Sequence, residues 1–133
     1  MKIRSLVKEK KFIPDFEGNK DLADKEQIVV NIKKFPSIED LGKIKAFKYD
    51  AVGNIIINYD NSYVLKNFIG GLKNIEVEKV DKDMNVVGEE VIENGSALSK
   101  TTATELESLV VEIRTYLLET VEELDKGEGN DSE

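Results

Sequence analysis

The sequence predicts an α+β domain: a small, mainly antiparallel sheet, two short helices and a long C-terminal helix packed on one face of the sheet. Three observations predict it. Residues 27–34 (QIVVNIKK) and 74–80 (NIEVEKV) alternate apolar and polar side chains in β-branched runs, the period of a half-buried strand. Residues 46–59 place two strand-like runs on either side of Asp50-Ala51-Val52-Gly53-Asn54, a hairpin pattern in which Gly53 can take a positive φ. Residues 104–124 instead repeat apolar side chains at three- and four-residue steps, the mark of a helix with one apolar side.

The N-terminal elements are short. Residues 3–7 read as a strand in a basic N-terminal arm. Phe12-Ile13-Pro14-Asp15-Phe16-Glu17-Gly18-Asn19 reads as an extended segment, because Pro14 disfavours a helix and Gly18-Asn19 marks a turn. Phe12, Ile13 and Phe16 are its anchors. In residues 27–34, Ile28, Val30 and Ile32 share one side and are expected to face the core. Phe35-Pro36 ends that strand.

Ser37 and Asp40 then approximate a capping box, and Ile38, Leu41 and Ile44 share one helical side. After the hairpin, Asp60 or Asn61 caps a helix over 62–69 carrying Val64, Leu65, Phe68 and Ile69, and Gly70-Gly71 stops it. Residues 81–85 read as a turn. Residues 86–92 read as a return strand weakened by Gly88, and 93–96 as a loop. Thr104 and Glu107 suggest a capping box for the last helix, which is expected to run to about Leu124. Leu106, Leu109, Val110, Ile113, Tyr116, Leu117, Val121 and Leu124 form its core stripe. Val111 and Leu118 lie seven residues apart and outside that stripe, either as isolated surface apolars or as a second contact face.

A chain of 133 residues suits one domain, assigned to residues 1–125, with an acidic tail over 126–133 expected to be disordered. No internal repeat stands out. Apolar residues make up 40%, enough for one core, while the net charge of −8 argues against general nucleic-acid binding, which needs a positive face. Residues 1–11 carry a net +4 and residues 119–133 a net −6. These are either two solvated ends or a means of steering a partner, including a second copy head to tail. No apolar run approaches the roughly 20 residues of a membrane span, and no apolar stretch follows the basic start, so neither a membrane segment nor a signal peptide is expected.

The chain has no cysteine and no histidine, which removes thiolate chemistry and the commonest general base and metal ligand. None of its serines sits in a G-x-S-x-G elbow, and its glycines form no phosphate-binding loop. Carboxylates offer the remaining chemistry. Asp15, Glu17, Asp21, Asp24 and Glu26 cluster in sequence, and Asp81-x-Asp83-x-Asn85 resembles the start of a calcium loop. That loop lacks glycine at its sixth position and glutamate at its twelfth, where Val86 and Ile92 stand. No metal, cofactor or catalytic residue is expected.

The order FIPDFEGN, EQIVVNIKKFP leading into a helix, NIEVEKV, and a terminal helix ELESLVVEIRTYLLETVEEL resembles small proteins of the structural modules of Gram-positive phages and prophages. Among these the chain is most similar to the tail assembly chaperones of long-tailed phages, over most of residues 11–125. The resemblance implies a non-catalytic protein that holds the tape measure protein or early tail components soluble. Its partners would be phage tail or capsid proteins, and its place the cytoplasm of the bacterial host. The alternative is a permanent component of the virion, such as a capsid or neck accessory protein. For either role the expected protein-binding residues are Phe12, Ile13 and Phe16 on the arm and Val111 and Leu118 on the last helix, engaging a client or forming a homo-oligomer.

Overall fold

The computed structural model describes residues 1–3, 10–101 and 103–130, with side chains through Val121. The strand expected over 3–7 lies outside the described residues for most of its length. The elements in order are β1 (Lys11–Phe12), a 3-10 turn (Phe16–Asp21), β2 (Val29–Ile32), a second 3-10 turn (Ile38–Asp40), α1 (Leu41–Ile44), β3 (Lys45–Tyr49), β4 (Ile55–Tyr59), α2 (Asn61–Phe68), β5 (Ile69–Lys73), β6 (Glu76–Val80), β7 (Val86–Val91), α3 (Gly95–Lys100), a third 3-10 turn (Thr104–Leu106) and α4 (Glu107–Asn130).

The class is α+β, and the strands among the described residues divide into three antiparallel units. β2 is the centre of a three-stranded sheet between β1 and β5, while β3–β4 and β6–β7 are separate hairpins. Val30 and Ile32 on β2 are buried as their alternation requires. The third strand comes from a segment whose glycines suggested only a helix stop. α2 does end at Phe68, but the chain continues extended from Ile69 through Gly70-Gly71 and pairs with β2. A Cβ on Gly71 would stand 3.4 Å from the Asn31 side-chain nitrogen, an ordinary contact, so the strand leaves room for a small side chain there.

One core joins this sheet to the helices. It includes Val30, Ile44, Val64, Leu65, Phe68, Ile92, Leu98, Leu109, Ile113 and Leu117. α2 begins at Asp60, whose carboxylate accepts a hydrogen bond from the Tyr63 N–H at 2.9 Å. The Ser37–Asp40 cap forms: the Ser37 N–H donates to Asp40 Oδ2 at 2.8 Å, and the Ser37 hydroxyl lies 3.0 Å from the same oxygen. The backbone N–H of Ser37 is the main influence holding the Asp40 carboxyl below its ordinary pKa.

Two small residues explain contacts that periodicity misses. Asn19 is buried and ties the N-terminal turn to the strand behind it. Its Nδ2 donates to the Pro14 and Ile28 carbonyls, both at 3.0 Å, and its Oδ1 accepts from the Ile28 N–H at 2.6 Å. Gly95 opens α3, a helix that residues 93–96 had suggested as loop, with Asn94 as its N-cap. A Cβ on Gly95 would collide with the Leu65 carbonyl oxygen and stand 2.8 Å from that of Ile69, so α3 reaches α2 only because no side chain intervenes.

α4 carries the expected stripe, with Leu109, Ile113, Leu117 and Val121 buried. Its start differs from the expected capping box. Ala103 occupies the N-cap position, Thr104 is already inside a 3-10 turn, and no side-chain cap bond forms. Its end also differs. The helix passes Leu124 and continues to Asn130, taking in residues 126–130 of the segment assigned to a disordered tail. No proline interrupts this stretch, and extending a helix is far easier than nucleating one.

Candidate functional site

The two hairpins stand apart from the core. Eleven of the seventeen large hydrophobic residues exposed among the described residues lie on them: Phe47, Tyr49, Val52, Ile55, Ile56 and Ile57 on the first, and Val80, Met84, Val86, Val87 and Val91 on the second. The hairpins span 45–59 and 76–91, under a quarter of the chain. Scattered single apolars are ordinary on a protein surface, but this concentration is not.

The hairpins form for the same local reason. In the first, Asp50 Oδ1 accepts from the N–H groups of Val52 and Asn54, both at 2.9 Å, and the Asp50 N–H donates to the Asn54 carbonyl at 3.0 Å. In the second, Asp81 Oδ1 accepts from Asp83 at 2.9 Å and Asn85 at 3.0 Å, and the Asp81 N–H donates to the Asn85 carbonyl at 2.9 Å. Each loop is an Asx-type turn ending in Asn, with one residue at positive φ: Gly53 at 88° and Met84 at 65°. The Asn54 N–H is the main influence lowering the Asp50 pKa. The acidic turn at Asp81 is therefore a hairpin closure, with its first carboxylate bonded to backbone.

Register sets the faces. Directly opposed residues in an antiparallel pair point to the same side. On β3–β4 the pairs Lys45–Tyr59, Phe47–Ile57 and Tyr49–Ile55 share one face. Phe47 is 65% exposed, Tyr49 74% and Ile55 63%, so this apolar face is uncovered through its outer half. At its base, Tyr59 is half-buried against the core, and the Arg114 guanidinium of α4 lies 3.9 Å from its ring centre and donates to Asn61 Oδ1 at 3.1 Å. The hairpin is thus fixed at the root and free at the tip.

On β6–β7 the pairs Glu76–Val91, Glu78–Glu89 and Val80–Val86 share a face, with a bulge at the tip. All six of these residues are exposed. The opposite face holds Val77, Lys79 and Glu90, where Lys79 and Glu90 pair at 3.6 Å. The first face therefore carries three valines and three carboxylates, and two of the carboxylates, Glu78 and Glu89, oppose each other directly. Like charges so placed are unfavourable in an isolated hairpin.

The residues expected to bind partners sit elsewhere, and three of the five pack on the domain itself. Phe12 pairs through β1 with Val30 of β2, and its ring stacks on Tyr116 at 4.5 Å between centres and 9° between planes. Phe16 also packs on the core. Together they cover the domain's own interior, and of the three arm anchors only Ile13 remains exposed. Leu118 belongs to the core at 8% exposure, whereas Val111 is on the surface, so the two do not form a continuous exposed line. The physical reason is a second layer beside α4. Arg114, one turn before Leu118, packs on Tyr59, and α4 also meets the Ile38–Asp40 turn, so this flank of the helix is covered as well as its central stripe.

Among the described residues, no group of three or more Asp and Glu side chains is placed to hold a metal ion. In the acidic N-terminal stretch, Asp15 pairs with Lys20 at 3.2 Å, and its N–H donates to Glu112 at 2.6 Å. A cleft of about 1070 Å³ beside β6 is lined by Phe16, Val77, Val80, Met84 and Leu106 together with polar groups, and it is open to solvent. No helix of the described residues is long and apolar enough to cross a membrane. No protein-family model, curated protein or solved structure matches the chain.

Proposed function

We propose that this chain is a non-catalytic protein-binding component of phage particle assembly, acting in the bacterial host cytoplasm and meeting tail or capsid proteins through its two hairpins. The observation that carries the binding role is the concentration of exposed apolar residues on β3–β4 and β6–β7. The resemblance of the chain to small phage structural-module proteins supplies the setting.

Two roles fit that setting: a tail assembly chaperone for the tape measure protein or early tail components, and a permanent part of the particle. The hairpins favour the permanent role. They are already folded, so binding costs little ordering. Apolar faces and open strand edges left uncovered are also an aggregation liability, which a lasting interface removes. Quantitative mass spectrometry of purified particles tests the choice. Retention of the chain in fixed ratio to the major tail or capsid protein is the expected result. Its abundance in lysate and absence from particles would return the chaperone role to first place.

A further inference from the structure

We propose that β3–β4 of one copy seats its apolar face on the Glu/Val face of β6–β7 of a second copy, giving a head-to-tail self-assembly. This rests on the reading that the hairpins are protein-contact surfaces, and it names their partner.

The argument is one of complementarity. The first hairpin carries Lys45 on its apolar face and Lys48 on the reverse face, against Asp50, whose carboxylate is bonded within its own loop. Lys43 stands just before its root. The second carries six acids, Glu76, Glu78, Asp81, Asp83, Glu89 and Glu90, against Lys79 and Lys82. One hairpin is thus mildly basic and the other clearly acidic, while both expose large apolar side chains. Val80, Val86 and Val91 supply apolar contacts for Phe47, Tyr49, Ile55 and Ile57, and Glu76, Glu78 and Glu89 stand among those valines, where Lys45, the one lysine on the apolar face of the first hairpin, can meet them.

Charge also selects among pairings. Two acidic hairpins laid face to face would bring two Glu78–Glu89 pairs together, and like-charge juxtaposition across an interface is costly. Pairing unlike hairpins brings only one Glu78–Glu89 pair to the interface and sets Lys45 on the facing side. Because the two surfaces lie on different parts of the chain, the contact is heterologous, and repetition gives a ring or an open filament. Neither hairpin contributes its outer side chains to the core, so either surface can be altered without loosening the fold.

The test uses two variants of the full chain and sedimentation velocity, with circular dichroism as a check on folding. Phe47→Asp with Ile57→Asp disables the first surface. Glu78→Lys with Glu89→Lys disables the second. The wild-type chain is expected to form oligomers that weaken as salt is raised, and each variant alone is expected to be monomeric. An equimolar mixture is expected to give a dimer that grows no further, because only one working surface of each kind is present. Three results would overturn the proposal: a wild-type chain that stays monomeric at roughly millimolar concentration, a charge-reversed variant that still self-associates, or a mixture that gives no dimer. Any of these leaves the particle assignment standing, since that is read from particle composition.

Discussion

Val30, Leu109 and Val121 in the body of the molecule have no exposed surface, whereas Phe47, Tyr49 and Ile55 on the first hairpin each expose more than three-fifths of theirs. The two regions use the same kinds of residue under opposite rules. In the body, apolar side chains come from distant parts of the sequence and meet in one core. In the outer parts of the hairpins they meet chiefly their cross-strand neighbours, and backbone bonding with an Asp-closed loop holds the strands. A two-stranded hairpin is marginal by itself in water. These two are held at their bases by the body, through Tyr59 and Arg114 for the first and Ile75 and Ile92 for the second.

The strongest way to break this contrast is to make one chemical change in both regions. Ile113→Ala removes a fully packed core side chain and is expected to cost about 2–5 kcal/mol. Ile57→Ala removes the same atoms from an exposed face and is expected to cost under about 1 kcal/mol, the range of a single cross-strand pair. Urea unfolding of the two variants measures both. Equal costs would mean that the hairpin face is packed in solution, either by the chain itself or by another copy.

A second change probes the body alone. Gly95→Ala places a methyl group against two backbone carbonyl oxygens of α2, which cannot rotate away. Overpacking of this kind is expected to cost about 1–3 kcal/mol. A loss below about 0.5 kcal/mol by the same unfolding measurement would mean that α3 can slide along α2.

These two residues also show what the sequence could reveal. Ile113 is recognisable because helical periodicity reports burial directly, and the same holds for Val64, Leu65 and Phe68 on α2 and for Val30 and Ile32 on β2. Gly95 is not recognisable. Glycine next to Asn reads as a turn, and its role depends on where α2 lies in space. β5 was hidden in the same way, since Gly70-Gly71 lacks side chains to show a strand period. Three of the five candidate binding residues, Phe12, Phe16 and Leu118, are covered for a related reason. Pattern assigns a residue to a side of its own element, but only tertiary packing says what covers that side. Phe12 and Phe16 were already occupied by the domain, and so was Leu118. In contrast, the hairpin strands were correctly expected over 46–59, but the run Ile55-Ile56-Ile57 carries no period that marks its side chains as exposed.

The finest comparison is between the two loops, which share one hydrogen-bond design and differ in the residue at positive φ. Gly53 adopts φ 88° without a Cβ to oppose it, while Met84 holds φ 65° with a side chain that is 75% exposed and packs little in return. A non-glycine residue in this region costs roughly 1–2 kcal/mol, and glycine loses about 0.5–1 kcal/mol more backbone entropy on folding than alanine. Met84→Gly is therefore expected to stabilise its hairpin by up to about 1 kcal/mol, and Gly53→Ala to destabilise the other by a similar amount, on the same bookkeeping. The effect should be local. Hairpins that stand off the body can open while the core stays folded, so global melting is expected to shift little. Amide hydrogen exchange reads the openings directly. Asp83 and Asn85 amides, bonded to Asp81, should exchange more slowly in Met84→Gly, and Val52 and Asn54 amides, bonded to Asp50, faster in Gly53→Ala. If both substitutions instead move the melting of the whole protein by their full amounts, the hairpins and the body unfold as one unit, and the separation between the two regions is one of exposure alone.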